Sequence, residues 1–135
     1  GANANFAWGS WLSASNPVIR DIHEYCLVFS KDTFKKSSKG ESSLEKEEFM
    51  ESTLSVWNIN AARAKKIGHP APFPLDLPYK FINLYTYKDD LVLDPFIGSG
   101  TTAVAAKKLK RNYVGYEINE KYIKIAKNRL KQEVN

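Results

Sequence analysis

Two carboxylates bracket the stretch of this sequence best suited to hold a ligand. Leu91-Val-Leu-Asp-Pro-Phe-Ile-Gly-Ser-Gly-Thr-Thr102 runs from a buried-type strand through a glycine turn into a helix, and Glu117 follows Gly100 by seventeen positions, at the tip of the next strand. Gly98 and Gly100 carry no Cβ, so a ligand can approach the backbone and the chain can adopt positive φ. The first N–H groups of the helix have no partner inside it and can receive a carboxylate or a phosphate. The hydroxyls of Thr101 and Thr102 lie at the same end. An acid at the tip of the neighbouring strand is placed to accept hydrogen bonds from both ribose hydroxyls of a nucleoside. Gly98-x-Gly100-x-x-Ala103 satisfies the dinucleotide pattern G-x-G-x-x-G/A, so a nicotinamide or flavin dinucleotide is one ligand class, in an oxidoreductase. Asp94 points to another. It repels a pyrophosphate but holds an ammonium, while the helix end takes a carboxylate, and S-adenosylmethionine carries that pair of charges. A purely structural role for Asp94 is to cap its own turn.

The elements that must position these residues alternate: strand Leu91–Asp94, helix Thr101–Leu109, strand Tyr113–Glu117 and a helix from Asn119 to about Gln132. Strand–helix–strand–helix implies a parallel sheet with helical crossovers. Upstream, Asp76 caps a helix with Pro78 in its first turn, running to Tyr85. Gly68 to Pro74 has three prolines in seven residues and is irregular. Ser42-x-x-Glu45 reads as a capping box that opens a short helix through about Thr53. Glu24–Ser30 and Ser55–Ile59 are β-forming runs and are expected to be strands. Lys31–Ser43 is a polar loop.

At 135 residues, 43% hydrophobic and 13% aromatic, the chain has material for one packed domain, and disorder throughout is excluded. No apolar run approaches the ~20 residues of a bilayer span, so no membrane association is expected. The single Cys26 leaves no internal disulfide and no Cys-based zinc cluster; no metal is implied, and a cytoplasmic location follows as the expectation. The net charge is +5, and the Phe96–Asn135 segment alone carries nine bases against three acids. Such a basic half suits a polyanion. It also suits a solvated helix face, since Lys121, Lys124, Lys127 and Lys131 oppose Tyr122, Ile123, Ala126 and Leu130.

Asp94-Pro-Phe-Ile-Gly-Ser-Gly-Thr-Thr102 resembles the cofactor motif of S-adenosylmethionine-dependent amino-group DNA methyltransferases, which methylate the exocyclic amine of adenine or cytosine. Tyr113-Val-Gly-Tyr-Glu-Ile-Asn119 is similar to their next motif, with Glu117 at the ribose-binding acid and Ile118 at the residue that packs on adenine. His69 to Leu75, with Phe73 and Pro74, resembles the segment bordering the methionine end. Trp8 to Pro17 and Arg20 to Tyr25 resemble the stretch after the catalytic motif in the permuted, beta-class members.

What this resemblance implies is an α/β fold, a partial Rossmann-like methyltransferase sheet lacking the central catalytic strand. It also implies a division into a target-base and DNA side, residues 1–68, and a cofactor region, residues 69–135. Cofactor contacts fall on Asp94, Pro95, Phe96, Gly98, Ser99, Gly100, Thr101, Thr102, Glu117, Ile118, Asn119, Phe73 and Pro74. Nucleic-acid contacts fall on Ser13, Ser15, Asn16 and Arg20. The partners are double-stranded DNA with a flipped base and an N-terminal half. That half is expected because the family's Ser/Asp/Asn-Pro-Pro-aromatic tetrapeptide is absent from this chain, so no catalytic residue is assigned; Ser15-Asn-Pro-Val18 has neither the second proline nor the aromatic. The start at Gly1 is read as a piece of a longer enzyme, inactive alone. A DNA-binding remnant without catalysis is the non-enzymatic alternative. Trp8 and Trp11 fit a base pocket or a core equally, and His23 is read as structural.

Overall fold

The computed structural model describes residues 22–36, 38–60 and 73–133, which fall in two compact units, Gly1–Lys36 and Ser37–Asn135. Ser13, Ser15, Asn16 and Arg20 lie outside the described residues, as does the 68/69 boundary expected from sequence. In the first unit, residues 22–36 contain no helix or strand. The strand expected at Glu24–Ser30 does not form, and Tyr25, Leu27 and Phe29 are exposed. A β-forming run becomes a strand only when a ladder partner takes its N–H and C=O groups, and no strand among the described residues does so. His23 meets the Tyr25 ring edge-on at 4.9 Å.

The described part of the second unit has the order α1 (Lys46–Ser52), α2 (Asp76–Tyr85), β1 (Leu91–Asp94), α3 (Thr101–Lys108), β2 (Asn112–Gly115) and α4 (Glu120–Glu133). β1 and β2 pair in parallel, with Leu91 opposite Asn112 and Asp94 opposite Gly115. The strand expected to end at Glu117 thus leaves its ladder at Gly115. The alternation of the strands divides the sheet into two faces. Val92 and Tyr113 pack under α2 and α3 against Ile82, Ala105, Ala106 and Leu109. Leu91, Leu93 and Val114 are exposed. Residues 101–106 of α3 are buried all round. Their small side chains let α2, β2 and α4 all approach this one helix.

Asp76 is the first residue of α2 rather than its cap, which is Leu75. Pro78 sits in the first turn, where a missing N–H costs nothing. α1 starts at Lys46, and the expected Ser42–Glu45 capping box is not made. The Ser42 hydroxyl instead accepts the Leu44 N–H at 3.1 Å. The Ser43 hydroxyl donates to Asn83 Oδ1 at 2.6 Å, and Asn83 Nδ2 donates to Glu48. The strand expected at Ser55–Ile59 is also not formed. That segment is held by its tryptophan, whose ring lies 4.9 Å from Phe81 while Nε1 donates to the Ser52 carbonyl.

α3 closes with the Lys110 and Arg111 N–H groups donating to the carbonyls of Lys107 and Ala106, with Lys110 at φ +61°, the paired bonds of a Schellman end. This end delivers Arg111 inward. The residue is 2% exposed, and its guanidinium donates to Thr86 Oγ1 (2.9 Å), the Thr86 carbonyl (2.7 Å), Ser43 Oγ (2.6 Å) and the Leu109 carbonyl. Burial pulls its pKa below the ordinary value, against Asp90, Tyr79 and Asp89, which hold it up. One side chain therefore ties the end of α2, the loop before α1 and the end of α3. Arg111→Met should lower the unfolding free energy by at least about 2 kcal/mol, because several acceptors lose a charged donor. Urea unfolding followed by circular dichroism checks this.

Candidate functional site

Both strands of the parallel pair leave the sheet at the same end. Past the last rung, the Tyr116 N–H donates to the Asp94 carbonyl at 3.1 Å and the Ile97 N–H to the Tyr116 carbonyl at 3.0 Å, so the pairing runs on into the turn. Asp94 is half-buried and ties its turn with both oxygens: Oδ1 accepts the Phe96 N–H at 2.9 Å, and Oδ2 accepts the Thr102 hydroxyl at 2.6 Å. A carboxylate offers about four lone-pair sites, so two such bonds leave capacity for a cationic donor.

Gly98 and Gly100 have φ of +49° and +84°, and Gly100 is the N-cap of α3. The left-handed conformation is the one glycine supplies without a steric penalty. Gly100 has a second reason to lack a side chain. A Cβ there would lie 2.7 Å from the Ala126 Cβ and 3.0 Å from its Cα, so α4 presses on the turn from behind. At Gly115 a Cβ would lie 2.8 Å from the Ile97 Cβ, which locks the turn against β2. These two glycines admit protein, not ligand, to the backbone.

The hydroxyls at the start of α3 face inward. Ser99, Thr101 and Thr102 are buried; Thr102 donates to Asp94, and Arg129 donates to Thr101 Oγ1. They build the turn rather than line an open cradle. Glu117 stands two residues past β2, half-buried, with Oε1 accepting the Asn119 N–H at 2.8 Å; Asn119 Oδ1 accepts the Lys121 N–H as α4 begins. Each carboxylate is followed in the chain by exposed apolar groups: Pro95 and Phe96 (86% exposed) after Asp94, and the fully exposed Ile118 after Glu117. Phe73, also exposed, and half-buried Pro74 lead into α2. A separate apolar cavity of about 280 Å³ lies between β2 and α4, lined by Ile97, Ala103, Tyr113, Ala126 and Leu130, and of the expected binding residues only Glu117 reaches it.

The chain matches the model of the N6/N4 methyltransferase family, described as DNA methylase, over residues 5–128. It belongs to this DNA methylase family. It is 38% identical to the Type II methyltransferase M.HindIII of Haemophilus influenzae, over 99% of this chain and 47% of that protein. It is 39% identical to the Type II methyltransferase M.BglI of Bacillus subtilis, over 89% of this chain and 34% of that one. Among solved structures it is similar to a Thermus thermophilus protein described as a DNA modification methylase and crystallised with S-adenosyl-L-methionine (35% identity, TM-score 0.59, 68% of this chain and 35% of that one). The partial α/β sheet is thus part of a Rossmann-like methyltransferase fold. The chain spans less than half the length of the curated relatives it matches. In this DNA methylase chain, no helix among the described residues is long and apolar enough to cross a membrane.

The close approach of Ile97 to Gly115 carries a prediction. Gly115→Ala should destabilise the chain by roughly 1–3 kcal/mol, the usual cost of overpacking. Ile97→Ala in the same chain should recover part of that loss. Thermal unfolding of the single and double variants measures both.

Proposed function

We propose that this chain is the cofactor-binding portion of an amino-group DNA methyltransferase, holding S-adenosylmethionine across the exits of β1 and β2. The observation that carries the reading is the pair of carboxylates, Asp94 and Glu117, at the same end of adjacent parallel strands, each followed by exposed apolar residues. When bound, the cofactor supplies an electrophilic methyl group on a sulfonium. The spare acceptor sites of Asp94 suit its ammonium, and the N-terminus of α3 suits its carboxylate. Glu117 accepts from the ribose hydroxyls, and Ile118 and Phe96 offer apolar surface to the adenine. Gly98 leaves the backbone open at the methionine end. Pro95, Ser99, Thr101, Thr102 and Asn119 shape the turn and the ends around these contacts.

Methyl transfer to the exocyclic amine of adenine or cytosine needs the amine lone pair held in line with the sulfonium methyl, and positioning is the main demand. The groups that polarise the amine belong to a Pro-Pro-aromatic motif outside this sequence, so they come from an N-terminal half. The exposed apolar face of Leu91, Leu93 and Val114 supports such a partner, because contiguous apolar surface on a sheet is normally covered. Ser13, Ser15, Asn16 and Arg20 would meet DNA, with the target base flipped out of the duplex.

Isothermal titration tests the cofactor reading. S-adenosylhomocysteine, the reaction product, should bind and NAD should not. Glu117→Ala should weaken binding by about 10- to 100-fold, the worth of charge-assisted hydrogen bonds. Methyl transfer to duplex DNA should be absent for this chain alone and appear when an N-terminal half bearing the tetrapeptide is added. Substantial turnover by the chain alone would contradict the division of labour.

A further inference from the structure

Arg129 lies on α4, remote in sequence from the glycine turn, yet its Nη1 donates to the Ser99 carbonyl (3.1 Å), Ser99 Oγ (3.4 Å) and Thr101 Oγ1 (3.0 Å). Its Nε donates to Glu133 Oε1 at 2.8 Å, an i,i+4 pair that holds the guanidinium in place, and its side chain is only 11% exposed. One helical turn back on the same face, Ala126 meets Gly100. Two neighbouring residues of α4 thus grip three consecutive residues, Ser99 to Thr101.

Helix electrostatics makes the placement informative. The N-terminal end of a helix carries a partial positive charge, so a guanidinium beside it is unfavourable for the helix and favourable for an arriving anion. α3 has no acidic residue of its own in its first turn; the carboxylate that reaches it is Asp94, through the Thr102 hydroxyl. A planar guanidinium that gives Nη1 to the turn while Glu133 holds Nε fixes geometry in a way a lysine ammonium, with its one nitrogen, does not.

We propose that Arg129 is a positioning residue for the cofactor turn: it holds Ser99–Thr101 in the shape that presents the start of α3 to the carboxylate of S-adenosylmethionine. This rests on the cofactor reading above, and its test separates the two. Hydrogen exchange on the ligand-free chain is one arm. Arg129→Lys and Arg129→Ala should speed exchange across residues 98–102 at least tenfold, while residues 104–106 of α3 keep their protection. Exchange unchanged at the turn, or rising equally through α3 and α4, would overturn the proposal. Titration with S-adenosylhomocysteine is the other arm. Both variants should bind at least tenfold more weakly, and Lys124→Ala, which removes the same charge from the exposed face of α4, should stay within twofold of the unaltered chain. Equal losses in Arg129→Ala and Lys124→Ala, with the charge-keeping Arg129→Lys binding like the unaltered chain, would assign the effect to long-range charge and overturn the proposal. An unaltered chain that does not bind contradicts the cofactor reading itself, and the exchange arm then still decides whether Arg129 holds the turn. An unaltered chain that binds no better than its Arg129 variants overturns only this inference.

Discussion

The parallel pairing of two four-residue strands decides what can meet at this site. With Asp94 opposite Gly115, both strands exit the sheet at one end, and the carboxylates of Asp94 and Glu117 follow. An antiparallel pair would send those exits to opposite ends of the ladder. Four rungs are few, and the structure extends them: the N–H of Asn112, the first residue of β2, donates to the carbonyl of Asp90 just ahead of β1, and Tyr116 and Ile97 continue the bonding beyond the last rung. Parallel strands require a crossover, which here is α3, and α3 can lie close to the sheet because its buried positions are Ala, Val and Thr.

The glycine turn serves two masters. Toward its back, Gly100 and Gly115 are bare because Ala126 and Ile97 occupy the space a Cβ would need. The hydroxyls of Thr101 and Thr102 are likewise engaged by Arg129 and Asp94. Toward its front, the same locking leaves Phe96 and Ile118 in solvent. Fixing the turn from behind lowers the ordering cost when a ligand arrives in front, which is the general value of preorganisation. Arg111 applies the same logic farther away, fastening the ends of α2 and α3 so that the crossover has one path.

The sequence made the strand–helix–strand–helix unit and its two acids legible because their signals are local: a glycine turn after an apolar run, and an amphipathic helix after an acid. The edges moved by a residue or two, as at Gly115, where the ladder ends and the bonding passes into the turn through Tyr116 and Ile97. Runs 24–30 and 55–59 were not legible, since composition shows β propensity but not whether a partner strand exists, and a tryptophan contact can hold an extended segment equally well. Arg111 and Arg129 were read only as part of a basic half. One signal was available for Arg129: it falls three residues after Ala126, on the packed face of α4 and not on the face of Lys124 and Lys127. Nothing comparable marks Arg111, because a lysine in the left-handed position before it hides a helix end that glycine would have announced.

The most direct test of the two-carboxylate account is where a nucleoside ligand sits. Backbone amide shifts should be mapped by NMR as S-adenosylhomocysteine is added to the isotope-labelled chain. The account predicts that the shifts concentrate at Phe96 to Thr102 and at Glu117 to Asn119, the two strand exits, and that NAD produces none of them. Shifts confined to the apolar cavity between β2 and α4, or the same pattern with NAD, would contradict it.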